Sequence, residues 1–313
     1  MDKTNCRTPL VAILLCTHNG ESYIDEQLYS IKNQTFTNWK LFVSDDDSND
    51  ATLTKLKKFK DFYGESHITI FKGPTEGSTT NFLTLLKRVG KEFDFFAFCD
   101  QDDIWLNRKL EIAITLLGLE RDTSPALYCS SSRYISNDGK FLQKSYIFKK
   151  PPSFKNALVQ SIAGGNTMVF NRLAANILAK TPSYQQLVAH DWWSYIVISA
   201  HGGSVYYDKN PHIDYRQHSN ALVGENRSLQ AKIIRIAKLL DGRFKQWNDE
   251  NLRILYNFYS ELPKENQLTL LYFQTMKNGA LWQRLIAFYR SGIRRQTLMG
   301  NIALIVGLIM RKV

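Results

Sequence analysis

Short apolar segments alternate with helix-like segments through the first 135 residues of this 313-residue chain, and this alternation limits the folds open to it. Apolar runs at residues 10–16, 39–44, 67–71 and 93–99 have the length of buried strands, and a further strand is predicted over residues 127–135. Short strands joined by helices predict an α/β fold with a parallel sheet and helices on both faces. Because ligands bind such sheets just past the carboxyl ends of the strands, the polar turns there are the expected site.

Acidic residues directly follow two of these predicted strands. Asp100, Asp102 and Asp103 come after the fourth run, and Asp45 and Asp46 end the second. Neighbouring carboxylates repel each other unless a cation neutralises them, and oxygen ligands with room for water suit Mg²⁺ or Mn²⁺. The alternative interpretation is that both clusters are solvated turns that cap the following helices. Their place at the ends of buried strands favours a site.

The formal net charge of +11 suggests an anionic partner, such as nucleic acid, a phosphate-bearing substrate or an acidic membrane surface. Nucleic-acid binding is disfavoured, because the strand-end turns are acidic and the basic excess lies mostly elsewhere. The four cysteines form no C-x-x-C pair, which argues against a disulfide framework or zinc site and for a reducing, cytoplasmic location. No run resembles a signal peptide or is long enough to span a membrane.

Several motifs together carry a resemblance to a known family. In chain order they read Leu-Leu-Cys-Thr-His-Asn-Gly (14–20), Gln-Thr-Phe (34–36), Val-Ser-Asp-Asp-Asp-Ser-Asn-Asp (43–50) and Phe-Cys-Asp-Gln-Asp-Asp-Ile-Trp (98–105). This series resembles the family-2 glycosyltransferases with a GT-A fold. The later motifs His-Asp-Trp-Trp (190–193) and Tyr-Arg-Gln-His (215–218) are similar to the bacterial rhamnosyltransferase-like branch.

The resemblance implies a Rossmann-like, mixed and mainly parallel sheet that binds a nucleotide diphosphate sugar. It assigns Thr17, His18, Asn19 and Asp46 to the base and ribose, and it places Gln101 in the same donor site. It further implies that Asp100 contacts the ribose or a metal ion. Asp102 would bind the Mn²⁺ or Mg²⁺ that holds the diphosphate. The chain departs from the family's usual Asp-Asp-Gly-Ser turn by carrying Asp47 in place of glycine, and it has Cys16 where a small hydroxyl or apolar residue is common.

Asp191 falls where this family places its general base, and its chemistry suits that role. A sugar hydroxyl is a poor nucleophile, and one carboxylate can remove its proton as the new bond forms. A single base opposite the leaving group implies one displacement, with inversion at the anomeric carbon. The alternative is that Asp191 only caps a helix that begins at Trp192.

Other residues around Asp191 are candidates for binding the acceptor. Gly164 and Gly165 would let a backbone approach it closely, or they form an ordinary tight turn. His190 and Trp192 would frame the site, although the tryptophan would equally suit the core. His218 could complete the metal shell as an imidazole ligand, or it is a structural histidine.

The chain is expected to divide into a catalytic domain over residues 1–225 and a basic helical region over residues 226–313. Within the first, residues 1–120 would bind the donor and residues 121–225 the acceptor. From residue 266 onward the chain has no Asp or Glu. Residues 281–290 form an amphipathic pattern from which Arg284 and Arg290 extend outward, and residues 299–310 are apolar but too short to span a bilayer. We expect peripheral attachment to an anionic membrane; packing on the catalytic domain and an oligomer contact are the alternatives.

These observations predict an inverting, metal-dependent transferase at the inner face of the cell membrane. The family branch favours L-rhamnose from dTDP-β-L-rhamnose as the transferred sugar and a cell-surface or lipid-linked glycan as the acceptor. Galactose, glucose or an N-acetylhexosamine from a UDP donor is the alternative. A metal-dependent phosphohydrolase is a more distant one.

Overall fold

The computed structural model describes residues 7–90, 92–118, 123–182, 187–217 and 242–313. Its strands, in chain order, are β1 Val11–Thr17, β2 Trp39–Asp45, β3 Ile68–Lys72, β4 Phe95–Cys99, β5 Ile104–Trp105, β6 Ala126–Ser130, β7 Arg133–Ile135, β8 Phe141–Lys144, β9 Val169–Asn171, β10 Ser204–Asp208 and β11 Ile213–Arg216. The helices are α1 Ile24–Lys32, α2 Thr52–Tyr63, α3 Ser78–Arg88, α4 Lys109–Leu117, α5 Phe154–Ala157, α6 Arg172–Ala179, α7 His190–Ala200, α8 Arg243–Leu255, α9 Lys264–Asn278, α10 Leu281–Ser291 and α11 Leu298–Ile309.

The main sheet has the strand order β10-β6-β9-β4-β1-β2-β3 in the described part of the chain. All neighbouring strands are parallel except β9, which runs antiparallel to both β4 and β6. The prediction of a mixed, mainly parallel sheet is therefore confirmed. The register pairs Thr17 with Asp45 and Leu15 with Cys99, so the turns after β1, β2 and β4 lie side by side at one edge.

Both faces of the main sheet are buried, which explains the unbroken apolar runs in the sequence. On β1, Ala12 and Leu14 belong to one apolar cluster, while Ile13 and Leu15 belong to the cluster on the opposite face. Successive side chains on a strand point to opposite faces, so a strand covered on both sides must be apolar at every position.

A second, smaller sheet has the order β5-β11-β7-β8 within the described ranges. The single strand predicted over residues 127–135 is therefore wrong: it breaks between β6 and β7, and the two halves join different sheets. The break occurs at the buried pair Ser131 and Ser132. The backbone of Ser131 there bonds to the carbonyl of Asp208, and that of Ser132 to the hydroxyl of Ser145.

Helices α8 to α11 pack onto the part of the chain that contains the main sheet. Leu255, Phe273 and Leu304 belong to the same buried apolar cluster as Phe96 and Phe170 of the main sheet. The inner sides of these helices are thus packed against the rest of the chain, which was the alternative to membrane attachment. Searched over the described residues, the structure has no helix long and apolar enough to cross a membrane.

Arg284 does not extend outward as the sequence pattern predicted. Its side chain is buried, and its guanidinium donates to the carbonyl of Leu308 and, at 3.5 Å, to that of Ile309. These carbonyls lie at the end of α11, where a helix has no internal partners for them and carries partial negative charge. Arg284 therefore fastens α10 to α11.

Candidate active site

A cleft of about 660 Å³ opens at the sheet edge where β1, β2 and β4 end. Its walls come from the turns after these strands, from the loop after β3 and the start of α3, and from the end of β11 with the next residue. The lining residues are Cys16, Thr17, His18, Asp46, Asp47, Thr75, Gly77, Ser78, Asn81, Phe82, Asp100, Gln101, Asp102, Tyr215, Arg216 and Gln217. The sheet therefore brings Thr17, His18, Asp46, Asp100, Gln101 and Asp102 into one cleft, as the order of the turns predicted.

Hydrogen bonds join the turns after β1 and β2. The backbone N–H of Asp46 donates to the carbonyl of Thr17 at 2.8 Å, and His18 Nδ1 donates to the carbonyl of Asp46 at 2.7 Å. The Thr17 hydroxyl donates to Asp45 Oδ2, also at 2.7 Å. The carboxylate of Asp45 therefore holds the turns together, whereas Asp46 is the acid of this pair that lines the cleft.

Asp47, which stands where the resemblance expects glycine, adopts a backbone conformation that favours glycine. Its φ of 68° lies in the left-handed region, where glycine is favoured and Asp is among the residues that tolerate it. Asn19 has a similar φ of 48° and is not among the residues that line the cleft. Instead its backbone N–H donates to the Ser48 hydroxyl and its Oδ1 accepts from Asn49, both at 2.9 Å. Asn19 thus holds the turn after β1 against the turn after β2.

Gln101 ties the acidic turn (residues 100–103) to the end of β1. Its amide accepts from the backbone N–H of His18 at 2.8 Å and donates to the carbonyl of His18 at 2.9 Å. Gly20 makes room for this pair, since a Cβ there would lie under 3.0 Å from the amide of Gln101. Gln101 therefore holds the acidic turn and the turn after β1 together through its bonds to the backbone of His18.

Asp100 and Asp102 are the acids of this turn that face the cleft. Burial raises the pKa of Asp100 to about 7, and the negative charges of Asp102 and Asp191 add to this rise. Such a rise marks a carboxyl that lacks a sufficient cation nearby, because like charges and low hydration both disfavour ionisation. The acidic turn is thus electrostatically suited to a cation.

Asp103, by contrast, is fully buried and supports the turn from below. It accepts from Asn166 Nδ2 at 2.6 Å and from the backbone N–H of Arg216 at 3.1 Å. The carbonyl of Asn166 accepts from the buried ammonium of Lys109 at 2.6 Å, and this ammonium also lies over the Trp105 ring. Asp103 thus joins the acidic turn to the segment of Asn166 and to β11.

Arg216 was missed by sequence reasoning, although it lies in one of the quoted motifs. Its buried guanidinium donates to the carbonyls of Asp102 and Asn137 at 2.9 and 2.6 Å and to Glu26 Oε2 at 2.8 Å. It also lies over the Tyr23 ring, with 4.6 Å to the centroid. The charged Arg in a short strand was the available signal, since a cation is rarely buried without partners.

Two other parts of the cleft wall were missed as well. Tyr215 lines the cleft, and its pKa is raised by burial and by the nearby charges of Asp103, Asp100 and Asp102. After β3, the backbone N–H of Thr75 donates to Asp46 Oδ1 at 2.6 Å. This bond fixes how the Asp46 carboxylate faces the cleft, and no sequence pattern indicates it.

Asp191 lies in the first turn of α7, which begins at His190 with Ala189 as its N-cap. The alternative in which Asp191 only caps a helix that begins at Trp192 is therefore wrong, because Asp191 already lies inside the helix. Its Oδ1 accepts from the backbone N–H of Trp192 at 2.6 Å. Burial raises the pKa of Asp191, and hydrogen bonds from the backbone of Trp192, Asp191 and Gly165 offset part of the rise. The fold thus brings a half-buried carboxyl close enough to Asp100 to affect its ionisation.

The four candidate acceptor residues differ in how deeply they are buried. Gly164 is exposed, and Gly165 is buried against His190, where a Cβ would lie under 3.0 Å from the imidazole. His190 stacks on Phe82, a residue of the cleft wall, with ring centroids 4.1 Å apart, and burial lowers its pKa to about 3. Trp192 belongs to the core: it is 7% exposed and donates its indole N–H to the carbonyl of Ala157 at 2.7 Å. The core interpretation of Trp192 is the one its burial supports.

His218 lies outside the described residues, so its proposed role as a metal ligand stays a prediction. Over the residues that are described, no group of three or more His, Cys, Asp or Glu side chains is arranged to hold a metal ion by itself. Asp100 and Asp102 nevertheless fit a cation of the magnesium type, which proteins commonly hold with one or two carboxylates plus substrate phosphates. Such a cation would offset the repulsion from Asp102, which adds to the effect of burial on the pKa of Asp100.

Comparison with known proteins identifies relatives over most of the chain. A sequence model described as "Glycosyl transferase family 2" matches residues 12–177. The dTDP-rhamnosyl transferase RfbG of Shigella flexneri is 33% identical over 265 residues, which cover 81% of this chain and 88% of that protein. The UDP-Glc:alpha-D-GlcNAc-diphosphoundecaprenol beta-1,3-glucosyltransferase WfgD of Escherichia coli is 37% identical over 109 residues, or 34% of this chain and 41% of that protein.

Solved structures extend the likeness to the fold. Residues 1–349 of S. aureus TarS, in complex with UDP-GlcNAc, match with a TM-score of 0.55 at 15% identity, covering 96% of this chain and 90% of that one. The structure of TarS with UDP matches with a TM-score of 0.52. The predicted GT-A fold is thus confirmed. Because the family match spans more than half of the chain, this protein belongs to glycosyl transferase family 2 and is a glycosyltransferase.

Proposed function

We propose that this protein is an inverting glycosyltransferase that moves L-rhamnose from dTDP-β-L-rhamnose to a cell-surface or lipid-linked glycan acceptor. The observation that carries the proposal is that Asp191 directly follows His190, which stacks on Phe82 of the cleft wall with ring centroids 4.1 Å apart; the charge of Asp191 also adds to the raised pKa of Asp100. A base candidate and a diphosphate site therefore lie beside one cleft. The likeness to RfbG, described as a dTDP-rhamnosyl transferase, supports the choice of donor.

The nucleotide would bind between the turns after β1 and β2. The Asp46 carboxylate, oriented by Thr75, would accept a hydrogen bond from the N–H of a pyrimidine ring. Thr17, His18 and Asn19 would form or support the wall along the base and ribose. Gln101 would keep this wall at a fixed distance from the diphosphate end through its two bonds to His18.

Asp100 and Asp102 would hold a Mn²⁺ or Mg²⁺ ion together with the two phosphates of the donor. When bound, such an ion neutralises the charge that develops on the departing diphosphate. Asp103 and Arg216 hold the turn that carries the two acids, through its side chain and its backbone respectively. They are positioning residues, because neither would touch the reacting atoms.

Asp191 would take the proton from the acceptor hydroxyl as that oxygen attacks the anomeric carbon. The new C–O bond forms on one face while the bond to the diphosphate oxygen breaks on the other, so the configuration at that carbon inverts. The raised pKa of Asp191 makes its carboxylate a stronger base than an ordinary Asp, which favours proton removal. Gly165 would aid this role through its backbone bond to the carboxylate.

A UDP-sugar donor is the second candidate, and the likeness to WfgD favours it. That protein is described as acting from UDP-Glc on a diphosphoundecaprenol-linked GlcNAc. A pyrimidine N–H reaches Asp46 equally well from uracil and from thymine, so this contact does not select between the donors. The same likeness supports a lipid-linked acceptor and, with it, a place at the inner face of the cell membrane.

A thermal-shift panel tests donor and metal together. We expect dTDP-β-L-rhamnose with Mn²⁺ to raise the melting temperature more than UDP-sugars do, and to raise it less in EDTA. The Asp102→Ala variant should lose the metal-dependent part, whereas Asp138→Ala, a change at an exposed acid, should keep it. A larger shift with UDP-glucose would move the donor assignment to the second candidate, and release of free phosphate without an acceptor would indicate a phosphohydrolase.

A further inference from the structure

The outer sides of α10 and α11 form an exposed apolar surface, which we call the C-terminal apolar face. Its residues are Leu281, Trp282, Leu285, Ile286 and Tyr289 of α10, and Leu298, Met299, Ile302, Val306, Ile309 and the adjoining Met310 of α11. Tyr289 is 87% exposed, Leu298 76% and Trp282 64%. Large apolar patches of this kind mark interaction sites on folded proteins.

The face does not arise from loosely attached helices. The opposite sides of α10 and α11 are buried through Ala287, Leu304 and Leu308, and Arg284 fastens the end of one helix to the other. α11 is thus apolar on its buried side and on its exposed side. A helix that is apolar all round is normally covered on all sides by protein or lipid.

Charge indicates which partner covers this face. The exposed Arg290, Arg294 and Arg311 lie in or beside the two helices, and the chain has no acidic residue from 266 to 313. A second copy of the chain would place its arginines close to these, and the like charges would repel, whereas an anionic lipid headgroup would pair with them. Trp282 and Tyr289 add aromatic rings with a polar edge, which favour the boundary between water and lipid.

We propose that the C-terminal apolar face lies in the headgroup region of an anionic bilayer, with α10 and α11 parallel to the membrane plane. Helix α11 has only 12 residues, which is too short to span the hydrocarbon but suits an in-plane orientation. This inference deepens the proposed function. Only the purpose of membrane binding, access to a lipid-linked acceptor, rests on that function.

Hydrogen bonds connect this face to the acceptor side of the cleft. Between α10 and α11, the carbonyl of Arg294 accepts from Asn156 Nδ2 at 2.9 Å, and the backbone N–H of Gln296 donates to Gln160 Oε1 at 2.8 Å. Asn156 belongs to α5, and the carbonyl of Ala157 in the same helix accepts the indole N–H of Trp192. The membrane-facing helices are therefore joined through α5 to the turn that carries Asp191.

Vesicle flotation tests the proposal without any need for enzymatic activity. The 313-residue protein should float with vesicles of phosphatidylglycerol and phosphatidylcholine, and much less with phosphatidylcholine alone. Changing Trp282 and Tyr289 together to Ser should reduce the bound fraction about tenfold or more, because two large apolar side chains then no longer leave water. Tyr29→Ser is the matched control, since Tyr29 is 64% exposed on α1, and it should bind like the wild type.

Tryptophan fluorescence supplies a local reading. The emission should shift to the blue on anionic vesicles, and Trp282→Phe should remove that shift while Trp247→Phe retains it; Trp247, on α8, is 41% exposed. Arg290→Gln with Arg294→Gln should weaken binding at low salt and leave the melting temperature unchanged.

Three results would overturn the proposal: equal flotation of the wild type and the Trp282/Tyr289 variant, no binding by the wild type, or a lipid-free dimer that the same variant abolishes. The last would assign the face to a second copy of the chain. If vesicles are bound but no sugar is transferred, the proposed function fails and the membrane face stands. Transfer to a short lipid-free acceptor should be unaffected by the face variants.

Discussion

The guanidinium of Arg216 donates through Nε to the backbone carbonyl of Asp102 at 2.9 Å, so a buried cation supports the turn that carries the acids of the cleft. The same side chain bonds to Glu26 on α1 and to the carbonyls of Ser136 and Asn137 beyond β7. The contacts join three separate parts of the chain under the acidic turn. The position of Asp102 therefore depends on a buried side chain from a distant part of the chain.

Replacing Arg216 by Lys should destabilise the protein and weaken donor binding. Lysine retains the charge but lacks the planar fork, so at least two of these hydrogen bonds are lost, at about 1 kcal/mol each. Thermal unfolding and donor titration in Mn²⁺ would measure both effects. Arg253→Lys is the control, because Arg253 is exposed and pairs only with Glu250 among the ion pairs of the described chain. Unchanged donor affinity in Arg216→Lys would contradict the positioning role.

Asp191→Asn should abolish most transfer while leaving donor binding intact. Asn has nearly the same shape but cannot accept the proton, and loss of a general base typically costs about 10²–10⁴-fold in rate. Turnover with saturating donor and acceptor, together with the donor dissociation constant, separates the two effects. Near-normal turnover would remove Asp191 from the mechanism.

Gly165→Ala should lower stability and transfer together. The added Cβ meets the imidazole of His190, which is held between Phe82 and Phe98 and has little room to move. Overpacking of this kind costs about 1–3 kcal/mol. Gly118→Ala provides the comparison, since no atom lies within 4 Å of a Cβ there and its φ of −59° suits alanine. Equal melting temperatures for the two variants would contradict the predicted clash.

Stability without metal should depend on pH through Asp100. Its pKa rises from 3.8 to about 7 in the folded chain, so the folded state binds the proton more tightly than the unfolded state does. The stabilising contribution is full below the unfolded pKa and is lost as the pH rises through about 7. In EDTA, Asp100→Asn should therefore gain stability relative to the wild type between about pH 5 and pH 8.

Melting curves of both proteins at those two pH values measure this difference. Added Mn²⁺ should raise the wild-type melting temperature at the higher pH and affect Asp100→Asn much less, because the variant has lost one of the paired carboxylates. The same difference between the proteins at both pH values would show that Asp100 ionises normally.

Local patterns in the sequence were sufficient for the sheet and for one wall of the cleft. The apolar runs predicted β1 to β4, because a strand buried on both faces must be apolar throughout, and parallel order then brought Thr17, Asp46 and Asp100 to one edge. The resemblance added the roles of these residues. The second sheet was not predicted, and the single strand predicted over 127–135 divides into β6 and β7, which belong to different sheets.

Contacts between distant segments were not predictable in the same way. Arg216, Thr75 and Lys109 act on the acidic residues through partners far away in the chain, and hydropathy contains no record of which buried polar groups pair. Arg284 shows the same limit, since an exposed cation and one that binds the end of another helix give the same amphipathic pattern.

The sequence by itself determined the α/β architecture, the acidic turn at a strand end and Asp191 as the base candidate, because each follows from short-range spacing or from a motif. The tertiary structure decided that Trp192 is core, that Gly165 lies against His190, and that α10 and α11 bury one side while exposing the other. The physical reason is that burial and hydrogen-bond partners depend on which segments meet in space, and those meetings are fixed only when the whole chain has packed.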